Sequence, residues 1–171
     1  MGDWGKGGGP DHPSPITLFL SDYLATMPEK IPIGADHAGF QMKEMLADEL
    51  RTLGYDVEDV GTHSDAPTDY ADYAHVVARE VEQGVVKRGI LLCGTGLGMA
   101  YAANRHHGVR AAVAWNPEIA GLSRSHNDAN ILVLPARCVD EGTAREILRT
   151  WLATPFEGGR HARRIAKIEE S

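Results

Sequence analysis

The chain has 171 residues, 43% of them apolar and 24% charged, with a formal net charge of −7. That length carries a sizeable core, and the acidic balance gives a nucleic-acid role no electrostatic support. The two cysteines, Cys93 and Cys138, exclude a disulfide framework and a zinc pattern, and no apolar run approaches the ~20 residues of a membrane helix.

Residues 1–29 differ from the rest. Met1–Pro15 is rich in Gly and Pro, with Trp4 isolated among them, which favours a flexible tail. Thr17–Ala25 has apolar residues enough for a short helix, but Ile16–Leu20 is too short for a signal peptide. Met27 stands directly before the first strand signal, so residues 1–29 read as an N-terminal extension and 30–171 as the domain. The expected compartment is the cytoplasm.

From Lys30 onward strand and helix signals alternate. Ile31–Ala35 reads as a strand, although Pro32 lacks the N–H of a central one. Phe40–Leu53 carries Met42, Met45, Leu46, Leu50 and Leu53 on one helical face, and Gly54 stops it. Tyr55–Val60 is the second strand, and Asp69–Gln83 a helix with a stripe of Tyr70, Tyr73, Ala74, Val77 and Val81. Gly89–Cys93 is a continuous apolar run, typical of a strand buried on both faces. Met99–Asn104 reads as helix, Arg110–Trp115 as strand, Pro117–Arg124 as a helix with Pro at its start, and Ile131–Leu134 as the fifth strand. Helices over Asp140–Leu152 and Arg160–Glu169 close the chain. Such alternation predicts a parallel sheet with helices on both faces. Ligands of such sheets sit beyond the carboxyl ends of the strands, which selects Asp36-His37, Cys93–Gly98 and Trp115-Asn116.

Cys93 ends a buried strand, and Gly94, Gly96 and Gly98 alternate behind it. Glycine permits positive φ and brings N–H groups close to an anion at a helix start. The same positive end lowers the pKa of a thiol and makes its thiolate available as a base. A lone free cysteine is more often a small buried apolar residue; the attached glycine loop favours function. A dinucleotide fingerprint fails because the third glycine comes one residue early, and a phosphatase loop of the cysteine-x-five-arginine type fails because position 99 is Met99.

Gly34-Ala35-Asp36-His37-Ala38-Gly39-Phe40, Thr68-Asp69-Tyr70, Cys93-Gly94-Thr95-Gly96-Leu97-Gly98, Ala102-Ala103-Asn104, His126-Asn127-Asp128-Ala129-Asn130 and Gly158-Gly159-Arg160-His161 follow one another in order. Over about Lys30 to Ile168 the chain resembles type B ribose-5-phosphate isomerases and their relatives, the galactose-6-phosphate isomerase subunits. The resemblance implies an α/β, Rossmann-like three-layer sandwich. It implies a C-terminal helix exchanged with a partner subunit, so that a homodimer shares its active sites; association into a tetramer is left open. It implies aldose–ketose isomerisation of a phosphosugar through an enediol, without metal or organic cofactor, and no nucleic-acid or membrane partner.

Residue by residue, the resemblance makes Cys93 the base, with Thr95 and the N–H groups of Gly94, Gly96 and Gly98 holding the oxyanion. His126 opens the sugar ring and Asn127 binds a hydroxyl. Asp36 and His37 contact the substrate, although Asp36 also suits a helix cap. Tyr70 contacts the ring or packs. Arg137, Arg160 and Arg164 bind phosphate with help from His161, placing the glycine loop at the other end of the substrate. Arg163, His12, His63, His75, His106 and His107 receive no role, Cys138 is expected to pack, and Trp115 to influence substrate choice. The leading substrate pair is ribose 5-phosphate and ribulose 5-phosphate. Galactose 6-phosphate, allose 6-phosphate or a tetrulose phosphate is the alternative, with a non-catalytic phosphosugar-binding module and a thiol-dependent hydrolase as the other classes.

Overall fold

The computed structural model describes residues 27–169. Trp4, the Gly/Pro-rich start and the Thr17–Ala25 helix lie outside the described residues. Five strands and six helices alternate: β1 (Lys30–Ala35), α1 (Phe40–Thr52), β2 (Asp56–Gly61), α2 (Tyr70–Glu82), β3 (Gly89–Cys93), α3 (Leu97–Ala103), β4 (Ala111–Val113), α4 (Pro117–Ser125), β5 (Ile131–Pro135), α5 (Glu141–Ala153) and α6 (Arg160–Ala166). All strand pairs are parallel, in the order β2-β1-β3-β5-β4. No helix among the described residues is long and apolar enough to cross a membrane.

The period-two alternation of the strands divides the core into two layers. Ile90 and Leu92 of β3, with Leu132 and Leu134 of β5, pack against α1, α4 and α5. Leu91 and Cys93, with Ile131 and Val133, pack against α2 and α3. β3 and β5 are therefore apolar throughout, because both faces are covered. Lys43 of α1 is fully buried and pairs with Asp59 of β2 at 2.5 Å, while Asp59 also accepts the Gly61 N–H at 3.0 Å. That pair fixes α1 to the edge strand beside the β1 crevice.

Local chemistry sets the ends of the elements. Gly54 at φ 90° follows α1, and Gly84 at φ 68° follows α2. The Asn116 side chain accepts the Ile119 N–H at 2.8 Å ahead of α4, and Asp140 accepts the Thr143 N–H at 3.0 Å ahead of α5. Pro32 is tolerated inside an internal strand because pairing of β1 to β3 begins only at Ile33↔Ile90. β4 spans three residues, shorter than the expected Arg110–Trp115. It is an edge strand, and the Arg110 N–H bonds to the Asn130 side chain instead of to a strand. α3 starts at Leu97, two residues early, because Gly96 already turns the chain. α6 stops at Ala166, after which Glu169 ties back to the Gly108 N–H at 3.3 Å.

β1 leads outward to β2, and β3 leads the other way toward β5 and β4, so a crevice opens at the carboxyl ends of β1 and β3. The core at the opposite, amino edge of the sheet is closed by Trp151 of α5, which is fully buried with the Arg88 and Arg124 guanidinium groups 5.7 and 5.5 Å from its ring centre. Trp151→Ala is expected to lower unfolding stability by about 3–5 kcal/mol, measured by denaturant titration.

Candidate active site

The crevice is a cleft of about 400 Å³ lined by Asp36, His37 and Ala38 from the end of β1, Tyr70 from α2, Cys93, Gly94, Thr95, Gly98 and Tyr101 around β3 and α3, and Arg137 after β5. Cys93 is 4% exposed, and its Sγ accepts the Gly96 N–H at 3.2 Å. A thiolate accepts such a bond more strongly than a thiol. Gly96 stands at φ 78°, and a Cβ there would lie 3.0 Å from Val113 Cγ1. Both its conformation and its fit demand glycine. Gly96 thus backs the cysteine from inside the protein, whereas Gly94 and Gly98 face the cleft.

The neighbouring groups are held by their own bonds. Asp36 is buried, and its Oδ1 accepts the N–H groups of Ala38 at 2.9 Å and Gly39 at 3.1 Å. Asp36 thus closes the turn ahead of α1 and does not cap the helix, whose cap position is Gly39, and Oδ2 is left for a ligand. The Thr68 N–H donates to His37 Nδ1 at 3.4 Å, so a neutral His37 ring carries its proton on Nε2. Thr95 is exposed, and its Oγ1 accepts the Leu97 N–H at 3.4 Å. The Tyr70 ring lies on Gly98, where a Cβ would come within 2.5 Å of Cε2.

Arg137 lies directly against the glycine loop. Its N–H bonds to Gly94 O at 3.0 Å, and its guanidinium carbon is 3.5 Å from where a Gly94 Cβ would stand. The cation and Gly94 share one wall of the cleft, because β5 pairs directly with β3, Cys93↔Pro135. Tyr101 is a residue the sequence reading missed. It follows Gly98 by three positions on α3, the spacing that puts two side chains on one helical face. Cys138, expected to pack, is exposed because the turn after Pro135 carries it outward.

The other expected site residues lie elsewhere. The Gly89 N–H bonds to Asn130 O at 3.0 Å, so the segment around Asn130 sits where β3 begins. Cys93 lies where β3 ends, four residues or about 13 Å further on. His126, at the C-terminal end of α4, belongs to that opposite edge. Its ring stacks on His161 of α6 at 4.3 Å and 7°. His161 is buried, and loss of solvation, reinforced by the neighbouring His126 and Arg160, holds its pKa below the ordinary histidine value. Arg160 and Arg164 stand exposed on the same short helix, and Asn127 lines a separate cavity of about 570 Å³ with His106, His107 and Arg110. One chain therefore carries two half-constellations at opposite ends of its sheet. His106 and His107 do not form a metal pair: His106 bridges His75 and Glu82, each at 2.9 Å, and the His107 N–H also bonds to Glu82.

Comparison with known proteins agrees with this arrangement of fold and motifs. The Ribose/Galactose Isomerase family model matches residues 31–168, and the chain belongs to that family. It is 45% identical over 140 residues to ribose-5-phosphate isomerase B of Escherichia coli, covering 82% of this chain and 94% of that protein. A ribose 5-phosphate isomerase structure from Thermotoga maritima superposes with a TM-score of 0.82 at 52% identity, over 84% of this chain and 99% of that one. The Mycoplasma genitalium ribose-5-phosphate isomerase B with bound ribulose-5-phosphate superposes with a TM-score of 0.81 at 40% identity, over 84% and 96%.

The contact between Gly98 and Tyr70 supplies a test of the cleft. Gly98→Ala places a methyl group inside the Tyr70 ring position while adding a better helix former. Its expected result is near-wild-type stability, a displaced Tyr70 signal in NMR spectra and a raised KM. An unmoved Tyr70 signal contradicts the packing described.

Proposed function

We propose that the chain interconverts ribose 5-phosphate and ribulose 5-phosphate through an enediol, with Cys93 as the base. The observation carrying this reading is the buried Cys93 Sγ facing the Gly96 N–H inside the cleft formed by Asp36, His37, Tyr70 and Arg137. In the aldose direction the Cys93 thiolate removes the proton from C2. The electron pair moves into the C1–C2 bond, and negative charge develops on O1, where the Thr95 hydroxyl and the loop N–H groups hold it. Cys93 then returns the proton to C1 as the O2 proton passes toward O1, leaving a carbonyl at C2. No electrons leave the substrate, so the reaction needs no redox partner.

Ring opening asks for a proton donor at the ring oxygen, and His126 has the chemistry for it. His126 and Asn127 belong to the other end of the sheet, together with Arg160, His161 and Arg164. We therefore assign the complete site to two copies of the chain, one giving the Cys93 cleft and the other the His126 group. A two-fold axis forms both sites at once. Arg137 from the cleft side and Arg160 and Arg164 from the other then surround the phosphate, with His161 beside them. The two unpaired cysteines fit a reducing cytoplasm.

The names of the E. coli and T. maritima relatives, and the ribulose-5-phosphate in the M. genitalium structure, support the pentose pair as first substrate. A side-by-side panel of phosphosugars checks it. A preference of about 100-fold for a hexose phosphate, roughly 3 kcal/mol of transition-state binding, overturns the pentose assignment.

Cys93→Ala is expected to lower kcat by about 10²–10⁴-fold and to stop proton exchange at C2 while phosphosugar binding persists. Near-wild-type turnover removes Cys93 from the mechanism and favours a non-catalytic role for the thiol. The shared site makes a separate prediction. Cys93→Ala and His126→Asn are each inactive alone, whereas equal mixtures after subunit exchange recover about a quarter of wild-type activity, because half the dimers are mixed and each holds one intact site. Mixtures that stay inactive despite proven exchange refute sharing.

A further inference from the structure

The His126–His161 stack has a third member. Glu157 approaches His161 Nε2 with its Oε2 at 3.6 Å, and one ligand atom from each of His126, Glu157 and His161 lies within 4.8 Å of the others. Among the described residues this is the one group of three such donors that close together. Two imidazoles and a carboxylate are the donor set of open tetrahedral zinc sites, which leave a fourth position for water.

The local chain geometry presents these donors as a unit. The Glu157 N–H bonds to Ser125 O at 3.0 Å, fixing the loop to the end of α4 directly beside His126. Gly158 and Gly159, at φ 67° and 55°, reverse the chain so that the carboxylate returns over His161. His161 is buried, His126 is half-buried, and Glu157 is exposed. Bonds of 2.0–2.2 Å ask for ligand atoms about 3.4 Å apart, so the group must contract, and the His126 ring must turn out of its parallel stack on His161 for both nitrogens to converge on one ion. The one existing bond to His161 Nε2 is long, from Arg160 Nε at 3.4 Å, and belongs to an exposed side chain that can leave. The charge of Arg160 opposes a cation, which makes this a site for reversible occupation and not for a resident metal.

We propose that His126, Glu157 and His161 form a binding site for a borderline-soft divalent cation of the zinc class, and that the bound cation occupies the His126 imidazole. Inhibition of isomerisation follows only if His126 opens the sugar ring, so that consequence rests on the function proposed above. Zinc is then excluded by substrate, since both use His126.

The test uses the full chain with Zn²⁺ as probe, followed by calorimetry, by the imidazole NMR signals of His126 and His161, and by turnover. Binding of one Zn²⁺ per chain that shifts both histidine signals is expected. Glu157→Gln is expected to weaken binding at least about tenfold and to leave turnover without metal unchanged. His161→Asn is expected to abolish the Zn²⁺-dependent shift of His126. Absence of binding overturns the proposal. So does Zn²⁺ binding that Glu157→Gln leaves unaltered, which places the ion elsewhere on the chain. Glu157-dependent binding without loss of turnover upholds the cation site and overturns the ring-opening role of His126.

Discussion

The hydrogen bond from the Gly96 N–H to Cys93 Sγ depends on the whole sheet. Gly96 donates to the sulfur at positive φ, and a Cβ on it would lie 3.0 Å from Val113 of β4 and 3.3 Å from Val133 of β5. Those valines lie beneath the loop because β5 is inserted between β3 and β4. The strand order thus builds a floor of branched side chains on which glycine fits and a larger residue does not. The same insertion brings the turn after β5 alongside the loop, where Ala136 N–H bonds to Cys93 O at 2.9 Å and Arg137 N–H to Gly94 O at 3.0 Å. A thiol, its donor and a cation are fixed by one topological choice.

Much of this frame is legible in the sequence because each strand–helix unit carries its own punctuation. Gly54, Gly84, Asn116-Pro117 and Asp140 mark element ends by local chemistry, and the unbroken apolar runs of β3 and β5 declare strands covered on both faces. Strand order is not local. Nothing in the residues of β4 states that β5 will lie inside it, so the contact between Arg137 and Gly94 was out of reach. Tyr101 was missed for a related reason: α3 was expected to begin at Met99, which hides the three-residue step from Gly98 within one helix. Cys138 was misjudged because composition favours burial of cysteine, whereas the turn from Pro135 directs it outward.

The separation of His126 from Cys93 follows from elementary α/β geometry. A helix that returns the chain to the next parallel strand must end at that strand's amino edge, so the residue capping α4 faces away from the carboxyl edge where Cys93 sits. The motif around His126 names its chemistry without revealing that it occupies the other end of the sheet. The bond from the Gly89 N–H to Asn130 O agrees with that geometry.

The two halves also differ in what holds them. The Cys93 half is embedded in the centre of the sheet, between β1 and β5, and its geometry changes only if the core does. The His126 half hangs on a seven-residue helix whose one buried side chain is His161, fastened at its far end by Glu169. So short a helix has little stability of its own. Its position depends on stacking against His126 and on whatever covers its exposed face. The Cys93 cleft is therefore fixed by the core, while the helix bearing Arg160 and Arg164 is held by few contacts of its own. In a site shared between two copies further contact comes with assembly itself, so association would set phosphate binding and ring opening more than proton transfer at Cys93.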